Sequence, residues 1–264
     1  MTILQETDYN LNLPCRIGFL ADFHNARPEP IIRSLKTRTP DIICIAGDLF
    51  RGDNMNPIPY QPNVVTLLDA CIKIAPTYLS IGNHEWMLTP DELEFIGSRG
   101  VCVLDDRWVT IPSPGATSGT SSAAGTSGAA NENLVIGGFT SELTQSSRIC
   151  RARGETFRYL DLTDKINAWL DEFEAQKGLK VLLCHHPEYY PKYLENRKID
   201  LVLSGHAHGG QWRIAGRGLF APGQGLFPKL TGGIHDSLVI SRGLSNTGNI
   251  VPRINNPAEI IYLR

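Results

Sequence analysis

Five short apolar runs in this chain stop at residues of metal-ligand type, and that repetition restricts the fold more than any other feature. "RIGFLADFHN" runs into Asp22 and His24, "DIICIAGDLF" into Asp48, and "TYLSIGNHEW" into Asn83 and His84. Further on, "KVLLCHHPEY" ends at His185 and His186, and "DLVLSGHAHGGQW" at His206 and His208. Continuous apolar runs bounded by turn signals read as buried strands. In open α/β sheets, ligands bind beyond the carboxyl ends of the strands. Asp and Asn favour turns on their own account, but convergence of four histidines and three Asp/Asn by turn preference alone is improbable. The imidazoles of "GHAHGG" lie in a turn, so their rings can point in different directions, and the flanking glycines let backbone approach a ligand closely.

Between these runs lie helical patterns. "PEPIIRSLKTR" (28–38) places Ile31, Ile32 and Leu35 on one face, and "NVVTLLDACIKIA" (63–75) is the next helix. In "TPDELEFIGSRG" Thr89 can cap, Pro90 opens the helix and Gly100 follows its end. "VCVL" and "RWVTI" are expected as strands near a hairpin or sheet edge, and "NLVIGGF" as a strand completing the sheet before it. This βαβαβ order implies a layered α/β domain with parallel pairing in its first half. "FRYLDLTDKINAWLDEFEAQKG" carries an amphipathic helix ending at Gly178, and "PEYYPKYLENRK" is expected to be helical. The tail, broken by Gly and Pro, is expected to be antiparallel. The tract 113–133, rich in Ser, Gly, Ala and Thr, has no large apolar residue. It cannot offset its chain entropy by burial and is expected to be a surface loop inside a single domain over 1–264.

Composition excludes some functions. With 25 basic and 27 acidic residues the formal charge is −2, so there is no basic field for nucleic acid. The six cysteines, at 15, 44, 71, 102, 150 and 184, are scattered without a CxxC spacing, which excludes a zinc knuckle or a disulfide framework. The stretch "MTILQETDYNLNLPC" has no basic segment followed by an apolar core, so no signal peptide is expected there. No run approaches the ~18 apolar residues that span a bilayer. A cytoplasmic protein is expected, with peripheral membrane association left open.

Taken in order, D-x-H at Asp22–His24, G-D at Gly47–Asp48, G-N-H-E at Gly82–Glu85, the histidine of "CHHP" at His185 and G-H-x-H at Gly205–His208 resemble the calcineurin-like metallophosphoesterase superfamily. Each block is weak alone; five in order, each at the end of a strand-like run, are specific. The tail segments "SGHAHGGQWRI", "GLFAPGQGLFPKL", "LVISRGLSN" and "PAEIIYL" are similar to its YkuE/YaeI-like phosphodiesterase branch. The resemblance implies a four-layer α-β-β-α sandwich of two mixed sheets flanked by helices. It implies two divalent metal ions, with Mn²⁺ the first choice and Fe or Zn²⁺ also compatible with imidazole and oxygen donors. Asp22, His24 and His208 would complete one ion and Asn83, His185 and His206 the other, with Asp48 bridging. His84 would assist the leaving group while a metal-bound hydroxide attacks phosphorus.

The implied activity is hydrolysis of a phosphodiester or pyrophosphate bond in a small-molecule or lipid- or nucleotide-linked substrate, with no nucleic-acid partner. A phosphomonoesterase and a non-catalytic scaffold that keeps the fold are the alternatives. Glu85 is expected to orient a neighbour, and His186 to line the pocket. Gln211, Trp212 and Arg242 could line the substrate pocket or serve as ordinary strand residues, and the Arg-rich 147–158 stretch could hold an anionic group or be solvated charge; His235 is expected at the surface and Asp53 and Asn54 in a loop. The loops 51–62, 140–158 and 215–235 are left to shape the substrate pocket.

Overall fold

A computed structural model describes residues 4–51, 61–114, 133–245 and 252–264. Its elements run β1 (Leu4–Tyr9), β2 (Ile17–Leu20), α1 (Glu29–Arg38), β3 (Ile42–Ala46), α2 (Pro62–Ile74) and β4 (Thr77–Ser80). They continue with α3 (Pro90–Ser98), β5 (Cys102–Leu104), β6 (Arg107–Ile111), β7 (Leu134–Phe139), α4 (Glu142–Ala152), α5 (Thr163–Glu174), β8 (Leu179–Cys184) and β9 (Leu201–Ser204). The tail supplies β10 (Arg213–Ile214), β11 (Arg217–Gly218), β12 (Phe220–Ala221), β13 (Gly225–Leu226), β14 (Gly233–His235), β15 (Leu238–Ile240) and β16 (Ala258–Leu263).

Two six-stranded mixed sheets result. The first has the order β1-β16-β2-β3-β4-β5 and the second β14-β15-β9-β8-β7-β6. Strands buried on both faces read as unbroken apolar runs, and β2, β3 and β4 are buried at every position. The side-chain period of two sorts each strand into layers. In β3, Ile42, Cys44 and Ala46 point between the sheets, while Ile43 and Ile45 pack under α1 and α2. In β8, Val181 and Leu183 face the same middle layer, and Leu182 and Cys184 pack outward with α5 residues Ile166, Leu170 and Phe173. The result is the four-layer α-β-β-α sandwich.

Helix α3 begins as its residues dictate: Thr89 and Glu92 form a reciprocal capping box, Pro90 opens the first turn, and Gly100 follows the end at φ +98°. Other segments depart from expectation. Strands β5 and β6 are adjacent in the chain but edge different sheets, with Asp105 and Asp106 making the step between them. Strand β7 joins the second sheet, not the first, pairing antiparallel with β6 and parallel with β8. The partnership Ile111↔Leu134 closes the ladder on either side of the Ser/Gly tract, whose residues 115–132 lie outside the described ones.

The tail is not purely antiparallel. Its hairpins β10–β11, β12–β13 and β14–β15 are, but β15 runs parallel to β9. Strand β16 crosses back into the first sheet, parallel to β1 and antiparallel to β2. The span 140–158 holds helix α4 instead of a loop. The helix expected over "PEYYPKYLENRK" shortens to one π-helical turn, Tyr190–Leu194. Among the described residues no helix is long and apolar enough to cross a membrane.

Candidate metal centre

The five strand ends converge. Asp22 and His24 follow β2, Asp48 follows β3, Asn83 and His84 follow β4, His185 follows β8, and His206 and His208 follow β9. Backbone bonds lock the ends together: Asp22 N–H donates to Gly47 O (3.2 Å), His24 N–H to Asp48 O (3.1 Å) and Gly205 N–H to His185 O (3.0 Å). Five of these residues, Asp22, His24, Asp48, His206 and His208, take left-handed φ values between 45° and 63°. Such conformations cost on the order of 1–3 kcal/mol each outside glycine and cluster at functional sites. Small residues at the strand ends make room for the carboxylates. A methyl group on Gly82 would collide with Asp48 Oδ1, and one on Gly205 with Asp22 Oδ2.

The donors group into sets that could each hold a cation: Asp22, His24 and His208; Asp48, His185 and His206; and His24, Asp48 and His84. Asp48 belongs to two of them. Its Oδ2 lies 3.0 Å from His185 Nε2, 3.8 Å from His24 Nε2 and 3.9 Å from His84 Nε2. Asp22 Oδ1 lies 3.5 Å from His208 Nε2, 3.8 Å from His24 Nε2 and 3.9 Å from His185 Nε2. The rings of His206 and His208, two residues apart, therefore do serve different sets. All six of Asp22, His24, Asp48, His185, His206 and His208 are buried, and Asn83 and His84 are half-buried.

Second contacts fix the tautomers. Nδ1–H of His24 donates to Phe50 O (3.1 Å), that of His185 to Ala46 O (2.6 Å) and that of His208 to Ser245 O (3.2 Å). A carbonyl can only accept, so in each ring Nε2 is left facing the carboxylates, as metal-ligating histidines require. His24 Nε2 and Asn83 Oδ1 are buried without a hydrogen-bond partner. A buried polar atom normally has one; His24 Nε2, which faces Asp22 and Asp48 at 3.8 Å, fits a cation.

The electrostatics agree. Burial pushes His24 down to about 3 and drives His206 and His208 well below the usual imidazole range, so these rings stay neutral and able to ligate. Burial alone raises carboxyl groups, and it lifts Asp22 to about 7 against the pull of His185. At Asp48 burial is outweighed by His185, His84 and His24, which hold the carboxyl well below its ordinary value. His185 answers: burial opposes its charge, but Asp48 raises it to about 10. Asp48 and His185 thus favour each other's charged forms, and binding of a divalent ion displaces protons from such ligands.

The bracing residues are visible too. Glu85 is fully buried and its carboxylate accepts from Asp48 N–H (2.9 Å), Leu49 N–H (2.8 Å), Phe50 N–H (3.4 Å) and Gly82 N–H (2.7 Å). One side chain thereby fixes the turns after β3 and β4. His186 bonds Ser141 Oγ (2.9 Å) and Glu188 Oε1 (3.0 Å) and stacks on Tyr189. Arg242 is ion-paired with Glu259 (2.8 Å). Of the Arg-rich stretch, Arg148 pairs with Asp105 (2.6 Å) and Arg151 donates to Trp86 O (3.1 Å). Asp53 and Asn54 fall outside the described residues.

Two residues at the centre escaped sequence reasoning. Glu188 Oε1 lies 3.8 Å from His206 Nε2, and Glu188, His186 and His206 form a fourth set that could hold a cation. The available signal was its position three residues after His185, and a methyl group on Gly223 of the tail would strike it. Arg253 lies 3.3 Å from His208 Nδ1 and donates to Ser245 O (2.6 Å); its neighbours in the chain give no hint of this.

A family model described as calcineurin-like phosphoesterase matches residues 15–210. Among curated proteins, the chain is 24% identical over 217 residues to the uncharacterized protein YpbG of Bacillus subtilis, covering 79% of this chain and 66% of that one. It is 25% identical over 242 residues to an uncharacterized metallophosphoesterase of Aquifex aeolicus, covering 90% and 77%. It is 23% identical over 216 residues to the phosphodiesterase YaeI of Escherichia coli, covering 76% and 63%. The chain thus spans slightly under two thirds of the length of YpbG and of YaeI.

Proposed function

Because the chain belongs to the calcineurin-like phosphoesterase family, we propose that it hydrolyses a phosphodiester or pyrophosphate bond with two divalent ions held at this centre. One observation carries the proposal: Asp48 belongs to two donor sets, one with His185 and His206 and one with His24 and His84, and its Oδ2 faces His185, His24 and His84 within 3.9 Å. Asp22, His24 and His208 would hold one ion, Asn83, His185 and His206 the other, and Asp48 would touch both. A pair of such ions neutralises charge on the phosphate and makes water acidic enough to attack it. The donors are imidazole, carboxylate and amide, without thiolate, which suits manganese first and iron or zinc as well.

The chain's own contribution is to orient and to donate a proton. His84 is half-buried, its N–H donates to Asp48 Oδ1 (2.9 Å), and its ring stands edge-on to His24 at 4.5 Å. Its imidazole would protonate the leaving oxygen as the P–O bond breaks, while the oxygen of water stays on phosphorus. Histidine suits this because its ordinary pKa lies close to neutrality. The diester preference draws support from the likeness to YaeI, a protein named as a phosphodiesterase. Six free cysteines, five of them buried, favour a reducing compartment and hence the cytoplasm.

The test is metal analysis followed by assay. Protein reconstituted with Mn²⁺, Fe²⁺ or Zn²⁺ should bind two equivalents and turn over bis-p-nitrophenyl phosphate faster than p-nitrophenyl phosphate. Faster monoester turnover would reverse the substrate ranking. A protein that takes up no metal, and whose Asp48→Ala variant behaves like wild type, would be a scaffold.

A further inference from the structure

Beside the centre is a cavity of about 370 Å³ lined by Asn83, His84, Trp86, Leu143 and Phe157. Its volume falls within the roughly 300–1,000 Å³ of small-molecule sites. Two of its walls, Asn83 and His84, belong to the centre; the other three are hydrocarbon or aromatic. We propose that this cavity is the leaving-group pocket and that it selects a phosphodiester whose departing alcohol is apolar, an alkyl chain or an aryl-bearing group.

The assignment rests on the phosphoesterase reading and on the place of His84. A group that protonates the leaving oxygen must stand beside it, so the alcohol attached to that oxygen lies in whatever space adjoins His84. That space is the cavity. Trp86 and Leu143 are half-buried, and Phe157, 45% exposed at the rim, meets Tyr159 edge-on at 5.3 Å. Against the Trp86, Leu143 and Phe157 walls a polyhydroxylated or charged leaving group would lose water without gaining partners. Of the neighbouring cations, Arg148 is paired with Asp105, and Arg151 is held at the outer side of the Trp86 wall, donating to Trp86 O and Met87 Sδ.

The pocket is also built to hold its shape. Helix α4, which carries Leu143, is fastened to the turn that carries Asn83, His84 and Trp86. Ser141 N–H donates to Ile81 O (3.1 Å), Thr144 Oγ1 to Gly82 O (2.8 Å) and Arg151 Nη2 to Trp86 O (3.1 Å). The apolar wall therefore moves with the proton donor, and a chain lodged against it brings its ester oxygen to a fixed place relative to His84.

The experiment uses methyl phosphodiesters whose second alcohol is methyl, hexyl or benzyl, with alcohol release followed by ³¹P NMR on the metal-loaded protein. These alcohols differ little in leaving ability, so differences in kcat/KM report the pocket. A buried methylene contributes roughly fourfold to binding, and kcat/KM should rise at least tenfold from methyl to hexyl. The benzyl arm shows whether a ring or a chain is preferred. Calorimetric titration with hexylphosphonate and methylphosphonate, which cannot turn over, should show the same preference. The hexyl-to-methyl ratio should fall towards one in Leu143→Asp and several-fold in Phe157→Ala, whose exposed site carries little folding cost. Flat kcat/KM across an otherwise active series would overturn the pocket and leave the phosphoesterase standing. Absence of turnover with the titration preference intact would remove the hydrolase reading and keep the pocket.

Discussion

The two sheets bring opposite chemistry to the centre. Strands β2, β3 and β4 of the first sheet end in both carboxylates, Asp22 and Asp48, with His24 and the Asn83 amide. Strands β8 and β9 of the second end in three imidazoles, His185, His206 and His208. Each sheet offers one donor set of its own, His24, Asp48 and His84 on the first and His186, Glu188 and His206 on the second, but Asp22 meets His208 and Asp48 meets His185 only across the sandwich. The sheets also brace their turns differently. The first relies on Glu85 and its four backbone donors, whereas in the second His206 N–H is held by both oxygens of Asp22, 3.0 Å each, from the opposite sheet. The second sheet's turn after β9 is thus positioned on the first, while Glu85 ties the turns after β3 and β4 to each other.

The largest effect should follow from removing the residue the two sides share. Asp48→Ala takes away the carboxylate that faces His185, His24 and His84, so on the proposed function both ions would lose a ligand at once. Loss of an outer-shell partner alone typically costs 10–100-fold, and this variant should lose more than about 10³-fold in kcat/KM and bind less than one equivalent of metal by elemental analysis. Retention of two equivalents would break the picture of a shared carboxylate.

A finer cut separates the ions. His208→Ala should weaken the ion next to Asp22 and His24, and His206→Ala the ion next to Asp48 and His185. Each should bring metal content from two equivalents towards one and lower kcat/KM by about 10²-fold. If either variant empties both positions, the two sets are a single site. Gly205→Ala sharpens the same comparison without removing a ligand. Its new methyl would press on Asp22 Oδ2 and the Ala21 side chain from across the sandwich, and overpacking of this kind costs roughly 1–3 kcal/mol. Thermal denaturation should register that loss, together with weaker metal retention; an unchanged melting temperature would mean the turns adapt freely.

The convergence of these strand ends is legible because each closes a short apolar run, and a strand that ends in Asp, His or Asn announces both its own length and a polar site. What stayed hidden has a common cause. Helix α4 buries Thr144, Gln145, Ser146 and Ser147, so a search for apolar periodicity finds no helix in it, although it supplies a wall of the cavity. Strand β1 is a half-exposed edge, LQETDY, whose place comes from pairing with β16 rather than from its own residues. Strand β7 joins the second sheet and not the one its place in the chain suggests, because order along the chain gives pairing only when neighbours in sequence are neighbours in space. The chain crosses between sheets at Asp105–Asp106, where Asp106 O accepts from Trp169 Nε1 (2.7 Å) and Asp105 pairs with Arg148. Glu188 depends on the tail's Gly223 for its room, a relation that no local pattern encodes.

The smallest effect is expected at the far end of the first sheet, where β2 and β3 begin. Asp41 Oδ2 accepts from Arg16 N–H (2.7 Å), and Oδ1 faces Arg16 Nη2 (3.2 Å), tying the two strand starts together. The modest burial of Asp41 would raise its carboxyl, but the hydrogen bonds and charge of Arg16 outweigh this and hold it below its usual value. A carboxyl depressed on folding adds stability that is present above its unfolded pKa and fades as pH falls through the folded one. Wild type should therefore lose its advantage over Asp41→Asn only below about pH 4, the ordinary range of an aspartate. Both partners are substantially exposed, with side-chain exposures of 53% and 33%, so the difference at neutral pH should stay within the ~1 kcal/mol of surface ion pairs. Metal content and kcat/KM should match wild type. A variant that lost metal would show that strain at the starts of the strands reaches their ends, and the division between a bracing end and a chemical end of the first sheet would have to be abandoned.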